Sequence, residues 1–241
     1  MASLPFLGLG DVAYEAHASS GPKPNAAPSW GASLLRELSD LTSAKLYNLP
    51  HTRDEVLSVG KIMGSKAVLL LGRNATETSF KSQPLGDFKI LHLAVHAAPD
   101  EDDPDRAALV LGADPASHED GLLQAREIND LRLNAELVTL SACSTGVGKL
   151  QGETGVRNLV EAFLVGGAKS VVASLWSVDD TYATTLMKQF YQHLAEGQDK
   201  ASALRQAKLD LLEQYGDQPP PFYWAGFTIT GEAASPISKG D

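Results

Sequence analysis

Two patterns of hydrophobic and polar positions alternate along the chain. Continuous apolar runs bounded by charge, Gly or Pro are typical of strands covered on both faces, and apolar residues returning every three or four positions predict amphipathic helices. The predicted strands are 4–14, 45–49, 66–71, 88–96, 107–112, 121–124, 136–143, 169–176 and 223–231. The predicted helices are 30–41, 53–63, 76–81, a turn through 128, 156–165, 179–195 and 201–214. The first strand is predicted to turn at Gly8 and Gly10, and 107–124 to form a hairpin.

Strands that alternate with helices of about 10–15 residues predict a mostly parallel sheet with right-handed crossovers. We therefore expect an α/β protein with three layers, α/β/α, and one domain over residues 1–241. The stretch 19–29 is rich in Ser, Gly, Pro and Ala and predicts a flexible loop. Residues 232–241 predict a short tail.

The composition narrows the classes of partner. Twenty Lys and Arg against thirty Asp and Glu give a net charge of −10. This balance argues against nucleic acid and against anionic membranes as partners. No apolar stretch approaches the ~18 residues that span a bilayer, and the N-terminus has no basic region of a signal peptide. The single cysteine cannot form an internal disulfide or a cysteine-based zinc site, so we expect a reducing, cytoplasmic location.

Two reactive side chains end predicted strands. His96 ends the run KILHLAVH and Cys143 ends ELVTLSAC, and ligands of parallel sheets bind beyond such carboxyl ends. An imidazole can generate the thiolate and later protonate a leaving group, and adjacent strands lie only ~4.8 Å apart. The spacing of 47 residues is similar to that in caspases, whose His comes ~50 residues before the Cys. The pair predicts acyl transfer, the alternatives being a buried structural Cys143 and a structural His96.

The same predicted strand carries a second histidine. Ile90, His92, Ala94 and His96 share one face by alternation. An unpaired polar ring inside a strand is costly, so we expect His92 to be a structural residue hydrogen-bonded to backbone and a neighbour of the site.

Other motifs point to no cofactor and no metal. The segment STGVGKL departs from a phosphate-binding loop at Cys143 and Leu150, and the acidic run 100–105 lacks the spacing of a calcium loop. The pattern S-x-x-D at Ser177 and Asp180 predicts a helix cap. Asp179 is then free to line a pocket for a basic side chain.

Several segments together resemble one family. HLAVHA, LVTLSACSTGVGKLQGETGVRNLVEAFLVGGAKSVVASLWSVDD and FYWAGFTITG are similar to the CHAT domain, a bacterial caspase-like (clan CD) peptidase domain commonly attached to tetratricopeptide (TPR) repeats. The resemblance runs from about Leu4 to Gly231. It implies the fold of caspases, separase and gingipains, with a catalytic His–Cys dyad at His96 and Cys143.

The resemblance also assigns the surroundings of the dyad. Backbone N–H groups of Cys143 and Ala97 would form the oxyanion hole, although Ala97 stands where caspases have a glycine that tolerates positive φ. The segment SLW resembles the strand that lines the substrate groove, which makes Trp176 either a groove residue or an ordinary buried aromatic. Gly146, Gly148, Gly152 and Gly155 predict an adaptable loop before a helix that begins near Gly155.

The expected function is cleavage of protein substrates by a cysteine endopeptidase that prefers a basic P1 residue through Asp179. A latent form activated by a TPR-type regulatory domain or partner is compatible with the same residues. The alternative from another class is a CHAT-type interaction module that does not cleave. A Cys–His hydrolase of small amides is a third reading, and the extent of the resemblance argues against it.

Overall fold

The computed structural model describes residues 5–14, 49–98, 103–141, 152–176, 178–216 and 220–237. The predicted loop 19–29, the helix 30–41, nearly all of the strand 45–49 and Cys143 lie outside these residues.

Six strands form the central sheet, in the order β2-β1-β3-β7-β8-β9. All neighbours are parallel except the last pair, in which β9 runs antiparallel to β8. Every residue of β3, β7 and β8 is buried, as continuous apolar runs predict for strands covered on both faces. The strands of this sheet are β1 (Phe6–Val12), β2 (Ala67–Gly72), β3 (Ile90–Ala94), β7 (Leu137–Leu140), β8 (Ser170–Ser174) and β9 (Phe227–Gly231).

A second sheet of three strands is attached beyond the end of β3. It consists of β4 (Ala97–Ala98), β5 (Ala108–Val110) and β6 (Leu122–Gln124), all antiparallel. The pairing of β5 with β6 confirms the predicted hairpin. β4 has only two residues, too few to show an alternating pattern in the sequence.

Six α-helices of the described residues pack on both faces of the central sheet. They are α1 (Thr52–Met63), α2 (Glu77–Lys81), α3 (Ala125–Asn129), α4 (Gly152–Val165), α5 (Asp180–Ala195) and α6 (Lys200–Tyr215). One core joins α2, α3 and α4 to one face through residues such as Phe80 and Phe163. The other core joins α1, α5 and α6 to the opposite face through Val59 and Phe190. The predicted three-layer α/β/α architecture is thus confirmed.

The predicted turn at Gly8 and Gly10 is wrong. Both residues stay in register with β3, and the strand instead deviates at Asp11, whose φ is 55° and where the register with β2 shifts. The glycines serve close packing, because a Cβ at Gly10 would lie 2.9 Å from Val56 Cγ2. They let α1 approach the sheet.

The helix after the predicted nucleophile begins earlier than predicted. α4 starts at Gly152, so Gly152 and Gly155 belong to the helix and not to a loop. Glycine has low helix propensity, which is why the sequence indicated a later start. Among the described residues, no helix is both long and apolar enough to cross a membrane.

Candidate active site

His96 lies two residues beyond the end of β3, at the carboxyl edge of the central sheet, and its side chain is 8% exposed. Two hydrogen bonds fix its backbone. Its N–H donates to Tyr14 Oη at 3.1 Å, and its carbonyl accepts from the N–H of Val110 at 2.8 Å. The residue is therefore held between the end of β1 and the second sheet.

Tyr14 is a site residue that the sequence analysis missed. Its hydroxyl accepts from His96 and donates to the carbonyl of Val110 at 3.3 Å, and its ring centre lies 4.9 Å from that of His96. Burial raises the pKa of Tyr14, so the hydroxyl stays protonated and able to donate. The available signal was its position at the end of the predicted first strand, next to the strand that leads to His96.

Ala97 begins β4 and pairs with Leu109. Among the described residues, Asp11 is the only residue other than glycine with a positive φ. Ala97 therefore adopts a conformation open to any residue, and the change from glycine to alanine creates no backbone conflict here.

Cys143 lies outside the described residues, but the strand that leads to it is described. β7 pairs in parallel with β3, with Leu93 opposite Leu140, and the N–H of Ser141 donates to the carbonyl of Leu93 at 3.0 Å. The structure thus makes neighbours of the two strands that precede the predicted dyad. It does not show the two side chains together.

A buried polar network lies on the His96 face of β3. His92 is fully buried, with Nε2 2.9 Å from Glu55 Oε1 and Nδ1 3.2 Å from Tyr191 Oη. Tyr191 in turn donates to Thr139 Oγ1 at 2.8 Å. The expectation that His92 is a structural, hydrogen-bonded residue is confirmed by its contact with Tyr191. The expectation of a backbone partner is wrong, because the ring nitrogens face side chains of α1 and α5.

Glu55 was also missed, although the sequence carries a signal for it. It is 3% exposed and lies among the buried residues of α1 that face the sheet, with Val56 and Val59. Its second carboxylate oxygen accepts from Thr184 Oγ1 of α5 at 3.3 Å. A carboxylate at an apolar position of a helix requires a polar partner in the core.

The first turn of α5 carries two acidic residues. Asp179 is exposed and is the N-cap, its Oδ1 accepting from the N–H of Thr181 at 2.9 Å. The prediction that Asp179 is free while Asp180 belongs to the cap is therefore wrong. Burial raises the pKa of Asp180, and electrostatic interactions with His51 and His96 oppose this rise. Asp180 is thus electrostatically coupled to His96.

Trp176 follows β8 and is half-buried. Its indole N–H donates to the carbonyl of Phe222 at 2.6 Å, and the two rings stack with centres 6.0 Å apart. Gly226 makes room for it, because a Cβ there would lie 2.9 Å from the indole Cε2. Since Phe222 is 50% exposed, Trp176 belongs to a surface aromatic pair and not to the core.

Three carboxylates near α2, on the other face of the central sheet from α1 and α5, lie as close together as the ligands of a metal ion do. Oxygens of Glu77, Glu119 and Glu127 lie within 4.8 Å of one another. The ammonium of Lys81 lies 2.7, 2.7 and 2.8 Å from them, respectively. This cation occupies the position that a metal ion would take.

Part of the chain is similar in sequence to two mammalian proteins. Tetratricopeptide repeat protein 28 of Mus musculus and that of Homo sapiens are each 33% identical over 110 residues, which is 46% of this chain. The chain spans only 4% of the length of either protein. These relatives are mammalian, so the bacterial origin stays a prediction.

Solved structures share the fold at low sequence identity. The Arg specific cysteine proteinase gingipain R has a TM-score of 0.55 and 10% identity, over 97% of this chain and 47% of its own. The complex of Porphyromonas gingivalis RgpB pro- and mature domains has a TM-score of 0.54 and 10% identity, over 97% and 48%. The fold is therefore that of caspase-like cysteine proteinases. The CHAT domain family model matches residues 12–232, and the chain belongs to the CHAT domain family.

Proposed function

We propose that the chain is a cysteine endopeptidase in which Cys143 is the nucleophile and His96 the general base. The observation that carries the proposal is the parallel pairing of β3 with β7. In that register Leu93 lies opposite Leu140, and His96 and Cys143 each follow these positions by three residues. The carboxyl edge of a parallel sheet is where such side chains converge on a ligand.

The chemistry follows from these two groups. His96 takes the thiol proton, and the Cys143 thiolate attacks the scissile carbonyl carbon. When the tetrahedral intermediate collapses, the C–N bond breaks and His96 gives the proton to the leaving amine. Water, deprotonated by His96, then attacks the thioester, and the carboxylic acid product leaves with the thiol restored.

The backbone of the site supports these steps. We assign the oxyanion hole to the N–H groups of Cys143 and Ala97, each such donor contributing roughly 3–4 kcal/mol of transition-state stabilisation. The His96 N–H donates to Tyr14 and its carbonyl accepts from Val110, so the base is positioned before substrate binds.

A basic P1 residue is the proposed specificity. Asp179 is exposed at the first turn of α5, and its Oδ1 is engaged by the cap bond to Thr181. Its carboxylate keeps a negative charge and further lone pairs for a guanidinium or ammonium group. Trp176, half-buried beside the exposed Phe222, is the proposed wall of the substrate groove. Gingipain R, similar in fold, is named as Arg specific.

Regulation by a TPR-type domain or partner completes the proposal. The mammalian relatives are named as tetratricopeptide repeat proteins, and each is far longer than the matched region. We propose a cytoplasmic enzyme whose single catalytic domain, residues 1–241, is latent until such a partner acts.

The test is proteomic. The chain and its Cys143→Ala variant are incubated with a denatured peptide library, with and without a TPR-containing partner, and new termini are sequenced. We expect termini only with the native chain, clustered after Lys or Arg, and covalent labelling of Cys143 by a peptidyl acyloxymethyl ketone with Arg at P1. Clustering after other residues would remove the role of Asp179. An absence of termini together with an unlabelled Cys143 would contradict the proposal and favour the non-cleaving interaction module.

A further inference from the structure

The hydroxyl of Tyr14 interrupts the antiparallel ladder between β4 and β5. Ala97 lies opposite Leu109 in this ladder. One residue earlier His96 lies opposite Val110, whose N–H donates to the carbonyl of His96 at 2.8 Å. Opposite residues that share one such bond normally exchange a second bond in the reverse direction. A regular ladder would therefore also join the N–H of His96 directly to the carbonyl of Val110.

The second bond is replaced by two bonds through the phenol. The N–H of His96 donates to Tyr14 Oη at 3.1 Å, and this hydroxyl donates to the carbonyl of Val110 at 3.3 Å. Because a backbone N–H only donates and a carbonyl only accepts, the direction of both bonds is fixed. Two hydrogen bonds in series span a greater distance than one. The hydroxyl thus separates the backbone of His96 from that of Val110.

The surroundings of Tyr14 favour a lasting bridge. Tyr14, His96 and Val110 are all buried, and a buried backbone group that loses its partner is costly. Burial raises the pKa of Tyr14, although the hydrogen bond from the His96 backbone opposes this rise, so the hydroxyl keeps the proton that it donates. The ring centres of Tyr14 and His96 lie 4.9 Å apart. Tyr14 therefore contacts both the backbone and the imidazole side of His96.

A bulge in β1 places Tyr14 at this point. The register of β1 with β2 shifts between Gly10 and Val12, so Asp11 is an extra residue in the strand. Its φ of 55° is a conformation that residues other than glycine rarely adopt. The N–H of Asp11 donates to Thr52 Oγ1 of α1 at 3.0 Å, which anchors the bulge. Bulges next to active sites redirect the residues that follow them, and this one directs the end of β1 toward His96.

We propose that Tyr14 is a positioning residue for His96: its hydroxyl is inserted into the ladder of β4 and β5, and its ring packs on the imidazole, so that the general base is held in one orientation. This inference rests on the proposed function only for the role of His96 as the base. A base transfers a proton efficiently only within hydrogen-bond reach, so a small displacement of its backbone lowers the rate. Tyr14→Phe keeps the ring and removes the bridge.

Amide hydrogen exchange, followed by NMR, tests the bridge without substrate. We expect the His96 amide of Tyr14→Phe to exchange faster than that of the native chain by about tenfold or more, because its acceptor is removed. The amide of Leu111 donates to the carbonyl of Gly121 at 2.7 Å on the other side of β5 and should keep its rate.

The matched control is Ser170→Ala. Ser170 is also buried, and its hydroxyl donates to the carbonyl of Glu136 at 2.7 Å, at the amino end of β8. Both variants thus lose a buried hydroxyl bonded to a carbonyl, but only one loses it beside His96. Exchange of the His96 amide that is no faster in Tyr14→Phe than in Ser170→Ala would overturn the inference, whether or not the chain is a peptidase.

The bulge provides a second pair of variants if Tyr14→Phe does not fold. Thr52→Val removes the acceptor of the Asp11 N–H and leaves Tyr14 in place, whereas Thr52→Ser keeps the acceptor. We expect faster exchange of the His96 amide in the valine variant than in the serine variant. Equal rates in these two variants would overturn the inference.

The Cys143 thiol reports on His96 as a base. A nearby imidazole lowers the pKa of a thiol, so the pH midpoint of alkylation by iodoacetamide depends on where His96 lies. We expect this midpoint to be about one pH unit higher in Tyr14→Phe than in the native chain and unchanged in Ser170→Ala. Equal, lowered midpoints in all three chains would overturn the positioning role. A midpoint near the ordinary value of about 8.5 in the native chain would instead contradict the dyad itself.

In an active preparation the same displacement affects turnover. We expect Tyr14→Phe to lower kcat by about tenfold at pH 7 and to leave KM within about twofold, because the hydroxyl acts on the base and not on the substrate. Ser170→Ala should change neither constant. A raised KM with unchanged kcat would place Tyr14 in substrate binding and contradict the inference.

Discussion

Glu55 and Glu77 are two buried carboxyl groups in opposite layers of the molecule, and the groups that face them differ. Glu55, in the layer of α1 and α5, is 3% exposed and contacts the imidazole of His92. Glu77, in the layer of α2, is 1% exposed and shares the ammonium of Lys81 with Glu119 and Glu127. The first carboxylate faces an imidazole ring, whereas the second shares one ammonium group with two other acids.

The sharing of Lys81 by three acids affects the pKa values of Glu77 and Lys81. Burial raises the pKa of Glu77 to about 7, a rise that Lys81 opposes and Glu127 reinforces. Burial opposes ionisation of Lys81 as well, but its bonds to Glu119, Glu127 and Glu77 outweigh burial and raise its pKa. Negative charge is therefore in excess at the Lys81 cluster.

The two carboxylates also join different parts of the fold. Glu77 ties α2 to the second sheet, because its Oε2 accepts from the N–H of Gly121 at 2.8 Å and its own N–H donates to the carbonyl of Gly112 at 3.1 Å. Glu55 links α1 to the central sheet through its contact with His92 of β3. Glu77 therefore supports the attachment of the second sheet, whereas Glu55 contacts His92 on the strand that leads to His96.

Removing the ammonium group of Lys81 is expected to have the largest effect on stability. In Lys81→Met three carboxylates face one another without an ammonium, and we expect the free energy of unfolding to fall by about 3–5 kcal/mol at pH 8. Urea denaturation followed by circular dichroism measures this loss.

The matched control is Lys61→Met, at an exposed position of α1, for which we expect a change within about 0.5 kcal/mol. A loss in Lys81→Met no larger than in Lys61→Met would show that the cluster stabilises nothing.

The buried Glu77 should also make the stability of the protein depend on pH. The pKa of Glu77 in the folded chain, about 7, is above its ordinary value of 4.5, so the folded state holds the proton more tightly than the unfolded state does. The stability that this proton provides is complete below pH 4.5 and is lost as pH rises to about 7. We expect the unfolding free energy of the native chain, relative to Glu77→Gln, to fall by about 2–3 kcal/mol between pH 5 and pH 8.

Urea titrations at several pH values test this, with Glu161→Gln as the control because Glu161 is 60% exposed. A relative stability that stays constant or rises with pH would contradict the raised pKa of Glu77.

The sequence predicted the layers of the fold better than its polar interior. Continuous apolar runs are enough to place β3, β7 and β8, because a strand buried on both faces has no polar alternative. The position of His96, two residues beyond β3, follows from the same runs. Sequence spacing does not show which distant residues meet, so the contacts of His92 with Glu55 and Tyr191, which depend on how α1 and α5 cross the sheet, could not be predicted.

Local capping was predictable only in part. The sequence S-x-x-D at 177–180 fits a cap that begins at Ser177, yet the helix begins two residues later with Asp179 as its N-cap. Both registers place an acidic side chain near the first turn, so spacing alone does not distinguish them. The difference matters because the aspartate proposed to recognise substrate, Asp179, is also the one that caps the helix.

We expect the smallest changes in stability at the N-caps of α5 and α6, the two helices that pack with α1 on one face of the central sheet. Asp179 accepts from the N–H of Thr181 at 2.9 Å, and Asp199 accepts from the N–H of Ser202 at 2.9 Å. Both caps are solvent-exposed, so Asp179→Ala should lower the free energy of unfolding by about 1 kcal/mol and Asp199→Ala should lower it as well, while the Asn variants retain the cap and lose less. Only Asp179→Asn should also raise KM for substrates with a basic P1 residue, because only Asp179 lies beside the proposed groove. Equal KM values for Asp179→Asn and Asp199→Asn would limit Asp179 to capping and assign recognition of a basic residue to another group.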